Sequence, residues 1–211
     1  MEYSRRNFLV STSHAIATYV FLFHVTQARA WTQSVESKIT KWAKRLGEIG
    51  HEVQSGEITP NQWQSEMDRL YQNLSVSDLS QLINKDQILK TLTYPKEKIG
   101  AIGNISWPKV QGFPTNLIFG HKLFVYRKGT VTPPHAHNHL VSAHFVIEGE
   151  IKVRTFNREM DLENSLLISP SQNRIAKIGE LITMSDTKEN VHWFEGISER
   201  SISFDIPIAN I

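Results

Sequence analysis

The chain has 211 residues, of which 40% are hydrophobic and 21% charged, a length and balance that suit one folded domain with an appendage and exclude a repeat array, a large multidomain machine or an intrinsically disordered chain. Its formal charge is +2, and Arg5, Arg6 and Arg29 against Glu2 place that excess in the leader, so the neutral remainder offers no basic stripe for nucleic acid. With no cysteine in the chain, disulfides, thiolate metal sites and a cysteine nucleophile are excluded, and any metal must use histidine, carboxylate or water.

Residues 1–30 read as an address. Ser4, Arg5 and Arg6 precede an apolar stretch over residues 8–25, and Ala28-Arg29-Ala30 offers a small-x-small cleavage pattern. The pattern predicts a signal peptide removed after Ala30. Its paired arginines resemble the motif read by the bacterial twin-arginine pathway, which implies a periplasmic or otherwise extracytoplasmic protein. An uncut leader would instead serve as a membrane anchor, the chain's one contact with lipid, although Ser11, Thr12, Ser13, His14, Thr18 and His24 dilute the stretch for spanning. That pathway exports folded proteins, which fits a site loaded with its metal inside the cell.

Residues 31–94 carry helical periodicity. Val35, Ile39, Trp42, Leu46 and Ile49 succeed one another at spacings of four and three, giving one apolar seam. Thr59 stands as an N-cap before Pro60, and Trp63, Met67, Leu70 and Leu74 line a second helix. Ser77, Leu79, Leu82, Ile83 and Ile88 suggest a third. These stripes either pack on each other and on the C-terminal domain or present a face to a partner.

Residues 95–211 change to short runs of Val, Ile, Phe and Thr divided by Gly, Pro, Asn and charged turns. Strands are expected within 99–106, 117–128, 130–137, 141–148, 150–157, 165–168, 174–178, 180–185, 190–195 and 200–208. The fold class predicted is mainly β, an antiparallel sandwich or barrel preceded by a helical segment.

Four of the nine histidines, His135, His137, His139 and His144, fall within ten residues. Side chains at i and i+2 of a strand share a face, so His135 and His137 can present two imidazoles together, with His139 joining if the strand continues. Imidazole binds Zn, Cu, Fe, Ni and Mn without adding charge. A polar outer strand face or a solvent loop would account for the same cluster.

The run from Gly129 through His135 and His137, with a turn glycine at Gly149, has the spacing Gly-x5-His-x-His and resembles the first motif of the cupin superfamily. That family's small β-barrel binds a metal in its mouth. Asn190-Val191-His192-Trp193-Phe194 resembles the second motif, implying His192 as a third ligand, although its Pro-x-Gly element is absent. Where the common pattern has a glutamate ligand, seven residues before the turn glycine, this chain has Ser142. A three-histidine set without carboxylate is similar to that of the cupin thiol dioxygenases, whose resemblance implies one divalent ion, Fe(II) in the first place with Mn, Cu or Zn as alternatives.

His144 shares strand parity with Ser142 and reads as a fourth ligand, a hydrogen-bonding neighbour of the ligands, a catalytic base or a packing residue; His144 or Tyr126 would handle protons. Arg127, Arg154 and Arg174 are candidates to grip a substrate carboxylate, Arg154 best among them because it comes after the Gly149 turn on a strand. Phe145, Trp193 and Phe204 read as core. Two functions fit this pattern: an exported iron-dependent dioxygenase acting on a small thiol or related molecule, and a non-catalytic cupin that stores, senses or sequesters a metal, with a homodimer left open for either.

Overall fold

The computed structural model describes residues 38–107, 113–114 and 116–211; the leader expected over residues 1–30 and the start of the first helix, with Val35, lie outside them. Helix α1 runs through residues 38–54, and Ile39, Trp42, Leu46 and Ile49 along its seam are buried. Helix α2 (Pro60–Tyr71) starts from Thr59 in a capping box. The Gln62 N–H donates to Thr59 Oγ1 at 3.2 Å and the Thr59 N–H donates to Gln62 Oε1 at 2.8 Å, which satisfies two donors at the helix start. Its buried face is Trp63, Gln64, Met67 and Tyr71, so the stripe ends at Tyr71, and Leu74 lies past the helix. The expected third helix is two short ones, α3 (Val76–Leu82) and α4 (Lys85–Thr91). Between them Asn84 takes a left-handed φ of 51°, a conformation a continuous helix cannot contain.

Nine strands come next among the described residues: β1 (Ala101–Asn104), β2 (Lys122–Arg127), β3 (Val131–His135), β4 (Leu140–Glu148), β5 (Ile151–Leu162), β6 (Ser165–Ala176), β7 (Leu181–Met184), β8 (Val191–Gly196) and β9 (Arg200–Ala209). They form a five-stranded sheet in the order β1-β2-β9-β4-β7 and a four-stranded sheet in the order β3-β8-β5-β6. Every pairing within the sheets is antiparallel. The inner faces share one core, in which Tyr126, Val146 and Ile182 meet Ile151, Val153 and Phe194. This is a cupin-like jelly roll with helices on its N-terminal side, the class the sequence predicts.

Strand alternation decides which residues the helices cover. Phe145 and Phe204 turn outward from the larger sheet, where Phe145 meets Tyr71 of α2 with ring centroids 4.9 Å apart and Phe204 meets Trp42 of α1 at 6.0 Å. Ser142, His144, Ser203 and Asp205 on the same strands turn inward. At Gly149, between β4 and β5, φ is +66° and a Cβ would run into the Arg200 carbonyl, so this turn requires glycine.

The two strands expected at 165–168 and 174–178 are one. Pro170 and its flanking serines read as a turn, yet β6 continues through them, with a register shift that skips Ser171, as the outermost strand of its sheet, where a residue without an N–H is tolerated. Among the described residues no helix is long and apolar enough to cross a membrane.

Candidate metal centre

Strands β3 and β8 pair so that His135 stands directly opposite His192, although 57 positions of sequence numbering lie between them. His137 comes two residues after the end of β3. Their ring centroids are 4.2 Å apart for His135 and His192, 4.7 Å for His135 and His137, and 5.3 Å for His137 and His192. One ring nitrogen from each lies within 4.8 Å of the others. Metal–imidazole bonds of about 2.0–2.1 Å make this a spacing that one ion closes with small side-chain adjustments.

Hydrogen bonds set the tautomers. His135 Nδ1 lies 2.9 Å from the Pro133 carbonyl and His192 Nδ1 lies 3.1 Å from the Asn190 carbonyl. A carbonyl can only accept, so both Nδ1 atoms carry the proton and both Nε2 lone pairs are free for a ligand role. Burial, and then the charge of His135, hold His137 below the ordinary imidazole range and His192 well below it. Both rings are therefore neutral near pH 7, the form a divalent ion needs. The donor set fits such an ion and contains no carboxylate.

The loops beside the histidines are tied down by Asn190. Its Nδ2 donates to the His137 carbonyl at 2.6 Å and to the Ser185 carbonyl at 3.2 Å, while its own carbonyl accepts from His192. The preceding Glu189 holds a left-handed φ of 58°; its N–H donates to Asn157 Oδ1 at 3.0 Å, and its carboxylate accepts from Ser171 Oγ and Gln172 Nε2 at 3.0 and 2.6 Å. On the other side Arg158 donates to Asn138 Oδ1 at 2.6 Å, next to His137.

The three histidines line a cavity of about 530 Å³ between the sheets. Ser142, His144 and Asp205 line it as well. Ser142, at the position where the common pattern places glutamate, donates to Asp205 Oδ1 at 2.5 Å. His144 Nε2 stands 3.4 Å from the same oxygen and its Nδ1 lies 3.2 Å from Ser203 Oγ. His144 is not among the clustered donor atoms. Burial pushes it down to about 3, and burial pushes Asp205 up to about 7 against the Ser142 hydrogen bond and the charge of Lys122. Both groups move toward neutrality, which leaves one proton between them.

The remaining expected site residues lie elsewhere. Arg154 pairs with Trp193 across β5 and β8 and its guanidinium sits 4.3 Å over that ring. Trp193 alternates with the inward-facing His192, so Arg154 is on the outer face and does not reach the cavity. Tyr126 is fully buried in the core with its hydroxyl 2.7 Å from Thr132 Oγ1, and burial pushes its phenol far up. It does not line the cavity, and Thr132 stands where its hydroxyl points. Arg127 sits 3.8 Å over the ring of Tyr94, and Arg174 is held by Glu180 and Gln172. The cation that does line the cavity is Lys122, at its exposed rim. Sequence reasoning misses Lys122 and the partnership of Asp205 with His144; the inward parity of residues 203, 205 and 207 is the signal that could have found them.

Two facing sheets and three convergent imidazoles define a cupin-like fold with a candidate three-histidine centre. No family model matches the chain, and no curated protein matches it. Among solved structures it is similar to oxalate oxidase, at 17% identity and a TM-score of 0.41 over 58% of each chain. It is similar to KdgF from Halomonas sp., at 14% identity and a TM-score of 0.37 over 54% of this chain and 82% of that one. A double-stranded β-helix protein from Klebsiella pneumoniae is 13% identical with a TM-score of 0.39, over 65% of this chain and 84% of that one. The match with oxalate oxidase thus spans less than two thirds of that protein's length.

Proposed function

We propose that this chain is an exported cupin-type metalloprotein in which His135, His137 and His192 hold one divalent ion, Fe(II) in the first place, and that it oxidises a small thiol or a related small molecule with dioxygen. The observation that carries the reading is the donor set: three convergent imidazoles, two with tautomers fixed by backbone carbonyls, and no carboxylate among the clustered donor atoms. An Fe(II) ion held by neutral ligands keeps its full charge and would supply both attraction for a thiolate and redox chemistry toward oxygen. For a thiol the balance is R–SH plus O2 giving R–SO2H, with both oxygen atoms in the product and sulfur as the reductant.

The chain's own residues serve this reaction in distinct ways. Phe124, Leu140 and Phe194 make much of the cavity wall apolar, which restricts water around a bound substrate. The proton between Asp205 and His144 sits where a substrate thiol could exchange it. Lys122 at the rim takes the role first expected of Arg154, meeting an acidic group on the substrate. Export through the twin-arginine-type leader belongs to the same proposal.

Imidazole alone also suits Zn, Cu and Mn, and this favours a second reading as a non-catalytic metal-binding cupin. Metal analysis of protein taken from its native compartment, followed by oxygen uptake with a panel of small thiols, separates the two. Iron content with thiol-dependent oxygen uptake, both lost in His135→Ala and His192→Ala, is the expected result. Bound metal with no uptake for any thiol would overturn the oxygenase reading, and no bound metal would overturn both.

A further inference from the structure

The hairpin of β5 and β6 outruns the sheet that carries it. Its register extends from Ile151 opposite Ala176 to Leu162 opposite Ser165, whereas β8 covers β5 only from Ile151 to Phe156. Beyond Phe156 the pair is a two-stranded arm with no further strand paired to it. An isolated ribbon of this kind is marginal in water unless an apolar face is covered.

The arm carries apolar side chains and leaves them bare. Met160, Leu162, Leu166, Leu167 and Ile168 are exposed by 55%, 51%, 40%, 52% and 38%. Cross-strand pairing puts Met160 beside Leu167, while Leu166 faces Asp161. Alternation along β6 therefore turns apolar groups to both sides of the ribbon. The outer edge, residues 165–173, contains no charged residue, although charge is the usual device that keeps a sheet edge from pairing with another. On β5, Arg158 forks onto Asp161 with two bonds of 2.5 Å, and Glu159 accepts from Ser169 Oγ of β6.

From this arm and edge we infer that β6 is the interface with a second copy of this chain. The two outer edges pair antiparallel about a two-fold axis and bring the apolar residues of the two β6 strands to the seam. A second copy fits because an uncharged edge meets no like charge in its own image, and an antiparallel edge is self-complementary under two-fold symmetry. Leu166, Leu167 and Ile168, on the pairing strand itself, are the bare side chains that reach this seam, toward the ~800 Å² each partner gives a stable interface. Backbone pairing along the edge supplies more. The base of the arm also grips both histidine loops, through Asn157 to Glu189 and through Arg158 to Asn138, so docking of the arms would brace the cavity between the sheets.

The experiment measures the solution mass of the purified protein by light scattering, for the native chain and for Met160→Lys with Leu167→Lys. A dimer that the double substitution turns into a monomer, with unchanged circular dichroism, is expected. Because the chain has no cysteine, single cysteines placed in turn at positions 166 to 171 give a second readout that does not depend on that variant: positions near the axis form a disulfide-linked dimer on oxidation. A monomeric native chain, a dimer that survives the double substitution, or a cysteine series with no crosslink would overturn the inference. A monomer that instead binds vesicles of mixed zwitterionic and anionic lipid would assign the arm to a membrane surface and overturn it as well.

Discussion

Asn190 orients the His192 imidazole and anchors the backbone of His137 without offering a ligand atom. Its side-chain amide donates to the His137 carbonyl at 2.6 Å and its backbone carbonyl orients His192. Outer partners of this kind govern metal affinity because they fix ring direction and tautomer. Replacing Asn190 with Ala removes the bridge to the His137 loop but keeps the carbonyl that faces His192, and the expected loss of metal affinity is roughly tenfold. Competition against a coloured chelator measures it, and an unchanged affinity would show that the loop holds itself. At this scale the sequence is partly legible. His135 and His137 stand out by an i, i+2 spacing after a glycine, and Asn190 is visible beside His192. Its bond to His137 is not, because 53 positions separate the two and only the pairing of β3 with β8 closes that gap.

Helix α2 answers what residues 31–94 do for the site. Gln64 is buried on its inner face; Nε2 donates to Thr183 Oγ1 at 3.2 Å and Oε1 accepts from Ser185 Oγ at 3.2 Å. Ser185 in turn offers its carbonyl to Asn190, so a chain of hydrogen bonds runs from the helix to the histidine loops. Gln64→Leu keeps the volume, removes the partner of Thr183 Oγ1 and leaves Ser185 Oγ to Lys188 and Thr187, which predicts a loss of about 0.5–1.5 kcal/mol in stability. Urea unfolding at constant pH checks this, and a loss well under that range would mean that water takes over both bonds. The helix itself is readable from Thr59, Pro60 and the Trp63–Met67 spacing. Gln64 is not, since a polar residue next to the apolar seam looks solvent-facing until β7 is known to lie beneath it. The same limit applies to β6, where Pro170 imitates a turn in sequence and is absorbed by an edge strand in space.

Taken as a whole, the molecule places its least ordinary charge inside the jelly roll. Three strands that are distant in sequence, β2, β4 and β9, bring Lys122, Ser142, His144 and Asp205 together through the register that sets Asp205 opposite both Lys122 and His144. No local motif encodes that meeting, which is why the barrel class is legible and this part of its interior is not. The arrangement has a consequence for pH. Burial raises Asp205 from 3.8 to about 7 in the folded chain, while the unfolded chain keeps an ordinary carboxyl. The folded state therefore holds a proton that the unfolded state has released, and stability linked to Asp205 is complete below about pH 4 and lost as pH rises toward 7. His144, pushed down to about 3, acts in the opposite sense: its contribution is present above the ordinary imidazole value and is lost as pH falls toward 3. Between pH 4 and 6.5 the two oppose each other, and above that only the Asp205 loss continues. Asp205→Asn keeps a hydrogen-bonding side chain and removes the titration, so its stability relative to the native chain should rise between pH 4 and pH 8, by at most about 4 kcal/mol. Urea unfolding of the metal-free protein at those two pH values decides the matter. A difference between variant and native chain that does not change with pH would place the buried proton on another group.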